Sequence, residues 1–352
     1  MTYKPADLPV TLLYNQDHDW LPSDIQEVET LAHTLAKALS KEGHPIETLC
    51  LENEKLEELL VDYEPDRQIV FNWCEEIPGI PHSSDMVARI LETLGFTFTG
   101  ADSKALGFSQ DKPAVKVRLS REHIPTPAWQ IYWREERIDW NGFPAIVKPA
   151  YEHCSFGITH EAVVHNDREL SKQIVHIIDK FHQPVLVEDF VDGREFHVSV
   201  VGNGKLQVLP IAEMDFSAIR EDRCRLCTYD SKFSPASSDY QMIQLKLPAN
   251  LSAGARSRLE KTAIAAYRAV GCRDYARLDI RERDDEFYVL DVNPNADISP
   301  DTSVALSAEL AGYTHGQFGS LLINLAAHRH PVFGHKEKRQ VRPALPAVAL
   351  TN

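Results

Sequence analysis

The chain has 352 residues, more than one hydrophobic core ordinarily organises, so a protein of several lobes is expected. Hydrophobic residues at 43% and charged residues at 25%, without repeats or low-complexity tracts, exclude a disordered or fibrous chain. A formal net charge of −15, with no basic run beyond the few residues around Lys336 to Arg339, excludes nucleic acid as a partner, because phosphates would be repelled over most of the surface. The opening MTYKPADLPV lacks a charged-then-apolar signal, and no stretch approaches the ~18 apolar residues of a membrane span. A cytoplasmic protein with no membrane partner is the expectation. Cysteines at 50, 74, 154, 224, 227 and 272 are scattered as buried or free thiols are in a reducing compartment. Cys224 and Cys227 form a single C-x-x-C, and without a second pair a structural zinc site is the weaker reading.

In chain order, VTLLYN (10–15) reads as a strand. Ser23 and Gln26 form a capping box ahead of Ile25, Val28, Ala32, Leu35 and Leu39, one face of a helix that Gly43 ends. PIETLCL, a short helix near 53–62, QIVFNW and a helix near 84–94 follow, and together they predict a doubly wound parallel α/β domain over 1–107. After FTFTG and a helical stretch near 102–108, Asp111 caps a helix through Lys112, Lys116 and Leu119, with Pro113 tolerated in its first turn. AWQIYW, FPAIVKP and PVLVEDFV read as strands, with a helix near 167–180 before the last, which predicts a small α+β lobe over 108–190. A larger α+β lobe over 191–335 holds EFHVSVV, LQVLPIAEM, a long loop from about 216 to 240, a helix near 252–270 and two final strands. The tail 336–352 has no hydrophobic period and is expected to dangle.

Those final strands carry the chemistry. Strand alternation puts Tyr275, Arg277 and Asp279 on one face of DYARLDIR, and Phe287, Val289, Asp291 and Asn293 on one face of FYVLDVN. The polar RERDDE between them is of hairpin length, so the two strands are expected to pair and bring Arg277, Asp279, Asp291 and Asn293 together. One aspartate on one strand is ordinarily a solvated face. Here polar groups end two otherwise apolar strands, and two carboxylates with an amide are hard oxygen donors suited to magnesium beside phosphate oxygens.

YARLDIRERDDEFYVLDVNPN, with FPAIVKPAYEHCSFGI, VLVEDFVDGREFHVSV and YDSK, resembles the ATP-grasp ligases, nearest to the D-alanine:D-alanine ligase group, over roughly residues 68–328. The resemblance implies an ATP-grasp fold whose two α+β lobes clamp ATP. It implies that Lys112 and Lys148 contact phosphates, that YEHCSFG closes over them with Ser155 as a donor, and that Lys232 of YDSK reaches the γ-phosphate. Glu188 is then expected at the adenine amino group with Phe190 alongside, and Glu195 on the ribose hydroxyls. Asp279, Asp291 and Asn293 become ligands of magnesium, or alternatively manganese, and Arg277 steadies an oxyanion. The reaction implied is activation of a carboxylate as an acyl phosphate, followed by attack of an amine; homodimers are common in the resembled group.

Departures bear on the substrate. LLYNQDHDWLPSDIQEV has no glycine where the group carries a glycine pair and a glutamate for the first substrate's ammonium, and Glu27 is a candidate for that glutamate. The phosphate loop contains His153 and Cys154 where the group is richer in glycine and serine, and PNADISPDTS places Asp297 where a glycine amide normally serves the oxyanion. Asp297 and Asp301 add negative charge where the second substrate's carboxylate would bind, which favours a polar or cationic amine. A ligase of amino-acid-like substrates with an altered acceptor site is therefore expected. The alternatives are a true D-alanine ligase and a nucleotide-binding regulator without turnover.

Overall fold

The computed structural model describes residues 7–134, 138–152, 155–219, 224–234 and 237–334, with the side chains of 232 and 233 left out. The tail 336–352, His153 and Cys154 thus lie outside the described residues. The chain begins with β1 (Val10–Asn15), α1 (Pro22–Lys41), β2 (Ile46–Leu51), α2 (Leu56–Leu59), β3 (Ile69–Trp73), α3 (Ser84–Thr93), α4 (Ser103–Gln110) and α5 (Lys112–Arg121). β1 lies between β2 and β3, both parallel to it, and every β1 residue is buried. Leu12 and Tyr14 enter one apolar cluster while Leu13 enters another, so both faces are covered and the strand reads as a continuous apolar run.

The capping box expected at Ser23 and Gln26 does not form. The helix starts two residues earlier, with Leu21 as N-cap and Pro22 in the first turn, and the Ser23 hydroxyl donates to Asp24 at 3.0 Å. Proline's fixed φ and missing N–H suit the first helical position, which moves the boundary.

The next lobe contains β4 (Trp129–Tyr132), β5 (Ala145–Pro149), β6 (Val163–Val164), α6 (Asp167–Phe181) and β7 (Val185–Asp189), with antiparallel order β4-β7-β5-β6 and α6 packed over one face. The last sheet uses β8 (Glu195–Val201), β9 (Gln207–Val208), β10 (Ala212–Asp215), β11 (Gln244–Lys246), β12 (Tyr275–Arg283) and β13 (Glu286–Pro294), in order β11-β10-β8-β12-β13 with β9 beside β8. LQVLPIAEM is thus two strands, and the predicted long loop includes two short helices, α7 (Tyr229–Phe233) and α8 (Ser238–Met242). α9 (Ala253–Val270) lays Leu259, Ala263, Ala266 and Val270 against the apolar face of this sheet.

α10 (Ser303–Leu310) and α11 (His315–Ala327) return to the first sheet, where Phe318, Leu322 and Ile323 share a core with Leu12, Leu35 and Leu39. The approach to α1 is close enough to require glycine. A Cβ on Gly316 would stand 2.5 Å from the Ala38 carbonyl oxygen, and one on Gly319 would stand 2.8 Å from Leu39. Among the described residues no helix is long and apolar enough to cross a membrane.

Asp274 joins the parts. It is fully buried and accepts from the Gly100 amide at 2.8 Å, from Asn203 Nδ2 at 2.7 Å and from both Arg329 terminal nitrogens at 2.6 and 2.8 Å. Arg329 also donates to the Phe98 carbonyl at 2.8 Å. Asp274→Ala leaves these donors unpaired and should lower unfolding free energy by about 3 kcal/mol, read as a reduced urea midpoint at unchanged slope.

Candidate active site

The predicted hairpin is present. Arg277 pairs with Asn293 and Asp279 with Asp291 across antiparallel β12 and β13. Ile280 then pairs with Val289, so Leu290 is an extra residue, a bulge, and the expected alternation of β13 changes phase there. Phe287 and Val289, predicted on the face of Asp291 and Asn293, instead point into the core together with Val292. On β12 the alternation holds, with Ala276, Leu278 and Ile280 inside and Arg277, Asp279 and Arg281 on the other face.

Like charges set directly opposite repel. Here cations offset them: Arg277 grips Asp279 through Nε at 2.7 Å and Nη2 at 3.0 Å, and Lys112 Nζ stands 3.7 Å from Asp291. Asn293 donates its amide nitrogen to the Arg277 carbonyl at 3.2 Å, which turns its amide oxygen into the atom available as a ligand. Two carboxylates and one amide oxygen on a shared face fit a hard divalent cation such as magnesium or manganese.

The lysines expected at phosphates are set by a buried clamp. Asp111 accepts from the Ala114 amide at 2.9 Å and caps α5, whose Lys112 and Lys116 lie one turn apart on the same side. Glu188, 1% exposed on β7, is held by Lys116 at 2.5 Å and by Lys148 of β5 at 2.7 Å. Lys116 also donates to Thr126 at 2.7 Å and to the carbonyls of Val289 and Leu290 at 3.2 Å. Burial alone would raise the Glu188 pKa, but the two ammonium groups overcome it and bring it down to about 2. Lys148 is pulled down by burial and pushed up more strongly by Glu188 and Asp291, whereas in the deeper Lys116 burial prevails and the pKa falls. Lys112 donates to the Glu152 carbonyl at 2.5 Å, holding the start of the phosphate loop. The Glu188 carboxylate, expected at an adenine edge, is therefore engaged with the lysines. Sequence reasoning used Lys116 only to mark a helix; its spacing of four from Lys112 was the available signal.

The neighbouring end of the cleft holds Phe190 and Glu195, both buried. Arg281 donates to Glu195 at 2.8 Å and to the Val191 carbonyl at 2.8 Å, with its guanidinium 5.2 Å from the Phe190 ring centre and 5.4 Å from that of Phe216. Beside it His197, paired in register with Asp279, bonds Ser303 Oγ at 3.0 Å. Both Arg281 and His197 were missed, although Arg281 continues the alternation of Arg277 and Asp279. Ser155 Oγ donates to the Cys227 carbonyl at 3.1 Å and the Tyr229 amide donates to Ile158 at 3.2 Å, so the phosphate loop docks on the loop that carries Lys232. The Lys232 side chain lies outside the described residues. Asp297 accepts from the Ser299 amide at 2.9 Å, Asp301 is exposed ahead of α10, and Glu27 sits on the exposed side of α1 without a bond to the other predicted site residues.

A family model described as D-ala D-ala ligase C-terminus matches residues 120–324, more than half of the chain. The chain belongs to the D-alanine–D-alanine ligase family. A D-alanine–D-alanine ligase of Desulforamulus reducens is 30% identical over 252 residues, covering 68% of this chain and 76% of that protein. An uncharacterized protein of Sinorhizobium fredii, y4sG, is 32% identical over 311 residues, 85% of this chain and 88% of the other. The crystal structure of the Bacillus anthracis D-alanine–D-alanine ligase complexed with ATP superposes with a TM-score of 0.71 at 22% identity, covering 92% of this chain and 98% of that one. That likeness establishes the ATP-grasp fold. The family match includes Lys148, Glu188 and the whole β12–β13 hairpin, while Lys112 lies before it.

Because the Glu188 pKa is depressed in the folded chain, its stabilising contribution is complete above the unfolded value near 4.5 and is lost as pH falls toward about 2. Glu188→Gln should lower stability at neutral pH and flatten the acid limb between those values, as measured by urea unfolding at a series of pH values.

Proposed function

We propose that the chain, as a D-alanine–D-alanine ligase-like ATP-grasp ligase, joins an amino-acid-like carboxylate to an amine other than D-alanine. The observation that carries this reading is the convergence of opposed Asp279 and Asp291, Asn293, Arg277 and the lysines held by Glu188 on one cleft. In this reading 108–190 and 191–335 are the two lobes that close on ATP, after the N-terminal domain 1–107.

Lys112 and Lys148 would hold the phosphates, with Ser155 and Lys232 supplied by the two docked loops. Phe190 would pack beside the base and Glu195 would meet the ribose, while the Glu188 carboxylate fixes Lys148 rather than touching adenine. Asp279, Asp291 and Asn293 would hold magnesium, which screens phosphate charge when bound. The substrate carboxylate oxygen takes the γ-phosphoryl group, giving ADP and an acyl phosphate. The amine nitrogen then bonds the carbonyl carbon, the bond from carbon to the phosphate oxygen breaks, and the amine's proton leaves with phosphate. Arg277, on the same strand face as Asp279, would face the oxyanion formed between those steps. Asp297 and Asp301, where a carboxylate-bearing acceptor would otherwise sit, support an altered acceptor.

ADP formation from ATP and magnesium with pools of D- and L-amino acids and small amines, with products weighed by mass spectrometry, tests this. The expected product has the summed mass of two substrates less one water, and Asp279→Ala should reduce its rate by about 100-fold or more. Turnover with D-alanine alone would instead indicate a true D-alanine ligase, and an unaffected Asp279→Ala rate would remove the metal assignment.

A further inference from the structure

On β8 and β12 the faces turned away from α9 carry a row of polar side chains. Register sets Glu195 beside Arg281, His197 beside Asp279 and Ser199 beside Arg277, while Phe196, Val198 and Val200 of β8 point into the core under α9. Glu195 accepts from Arg281 at 2.8 Å, and Arg277 reaches along its own strand to Asp279. His197 lies in the middle of this row, 6% exposed.

Its two ring nitrogens face different chemistry. Nδ1 lies 3.0 Å from Ser303 Oγ in the first turn of α10, and Nε2 lies 3.9 Å from Asp279 Oδ1 and 4.0 Å from Glu195 Oε1. With two carboxylates on one side and a hydroxyl on the other, the hydrogen is most stable on Nε2. The Ser303 hydroxyl then donates to Nδ1 and holds the ring in that tautomer. Ser303 is buried as well, at the start of a helix that Thr302 caps by accepting from the Ala305 amide at 3.3 Å.

Asp279 faces two competing demands. Arg277 holds both of its oxygens, Oδ1 through Nε at 2.7 Å and Oδ2 through Nη2 at 3.0 Å. A carboxylate gripped at both oxygens offers little to a cation, and a guanidinium spent on it is turned away from an oxyanion. Ligating a cation and steadying an oxyanion both require this fork to open. Asp279 is 9% exposed, and a buried carboxylate oxygen that loses its donor costs about 1–3 kcal/mol or more. The Nε2–H of His197 is the donor within reach, since rotating the carboxylate closes the 3.9 Å gap to the ~2.9 Å of an N–H···O bond.

We propose that His197 is a positioning residue for Asp279: its Nε2–H takes Oδ1 when Arg277 lets go, which aims Oδ2 at a divalent cation and frees the Arg277 guanidinium for the oxyanion. The inference rests on the cation and oxyanion roles in the ligase reading above and adds the residue that makes them compatible. Through Ser303, Asp279 and the helix that follows Asp297 and Asp301 then share one side chain.

Manganese binding, read by electron paramagnetic resonance on the full chain with a non-hydrolysable ATP analogue, tests this, and Asp279→Asn is the control for ion held at the site. His197→Asn puts an amide where Nδ1 was and keeps the contact with Ser303, whereas His197→Gln carries its amide to the position of Nε2. The expected result is manganese affinity about 10- to 100-fold weaker in His197→Asn, recovery to within about threefold in His197→Gln, and unchanged affinity for the analogue without metal. A merely structural role predicts the opposite order, because only His197→Asn retains the bond to α10. Urea midpoints identify a variant that fails to fold. Ser303→Ala, which removes only the hydroxyl that fixes the tautomer, then decides in its place: weakening of manganese by about threefold or more upholds the role, and no change overturns it. Equal manganese affinity in the unaltered chain and folded His197→Asn, or a loss in His197→Gln as deep as in His197→Asn, would overturn the positioning role while leaving ligation intact. A manganese signal that survives Asp279→Asn would remove the metal assignment and this inference with it. The expected order of variants, without ADP formation from any amino-acid pool, would uphold His197 and remove the ligase reading.

Discussion

A carboxylate with almost no contact with water, clamped between two ammonium groups, sets the geometry on which the cleft depends. Glu188 is on β7, Lys148 on the neighbouring β5 and Lys116 on α5, so three elements meet at one ion triad. Each charge in such a place is costly alone and is tolerated only when its partners are exact in position. Lys116 extends the constraint further by donating to the backbone carbonyls of Val289 and of the bulged Leu290 on β13. Lys148 and the strand that carries Asp291 and Asn293 are thereby registered to each other.

The bulge converts that register into chemistry. Without the extra Leu290, the β13 face carrying Phe287 and Val289 would also carry Asp291 and Asn293, and either the core or the site would lose its side chains. One inserted residue allows the strand to bury its first half against α9 and present oxygen-bearing side chains from its second half. The opposed aspartates that result would repel each other, and Arg277 and Lys112 offset their charge.

Much of this was legible in the amino-acid order, where the signal is local. Asp111 as a helix cap, the hairpin around RERDDE and the convergence of Arg277, Asp279, Asp291 and Asn293 all follow from short-range rules, and all are present. What escaped is set by distant contacts. The bulge at Leu290 has no composition cue, because a leucine fits either phase of a strand. Lys116 reads as an ordinary helix lysine until Glu188, far along the chain, is known to face it. Arg281 is the largest fully buried side chain among the described residues, and nothing local announces that an arginine will lie between two aromatic rings. The false capping box at Ser23 shows the converse, a correct motif overridden by the proline beside it.

The seating of α11 on α1 carries a consequence for how the chain is made. The first sheet emerges from the ribosome well before the helix that covers one of its faces, His315–Ala327. During the interval Leu12, Leu35 and Leu39 have no permanent cover, and their contacts with Leu322 and Ile323 close a loop that includes both other lobes. Such long-range closure slows folding and leaves apolar surface open to misassociation until it is complete.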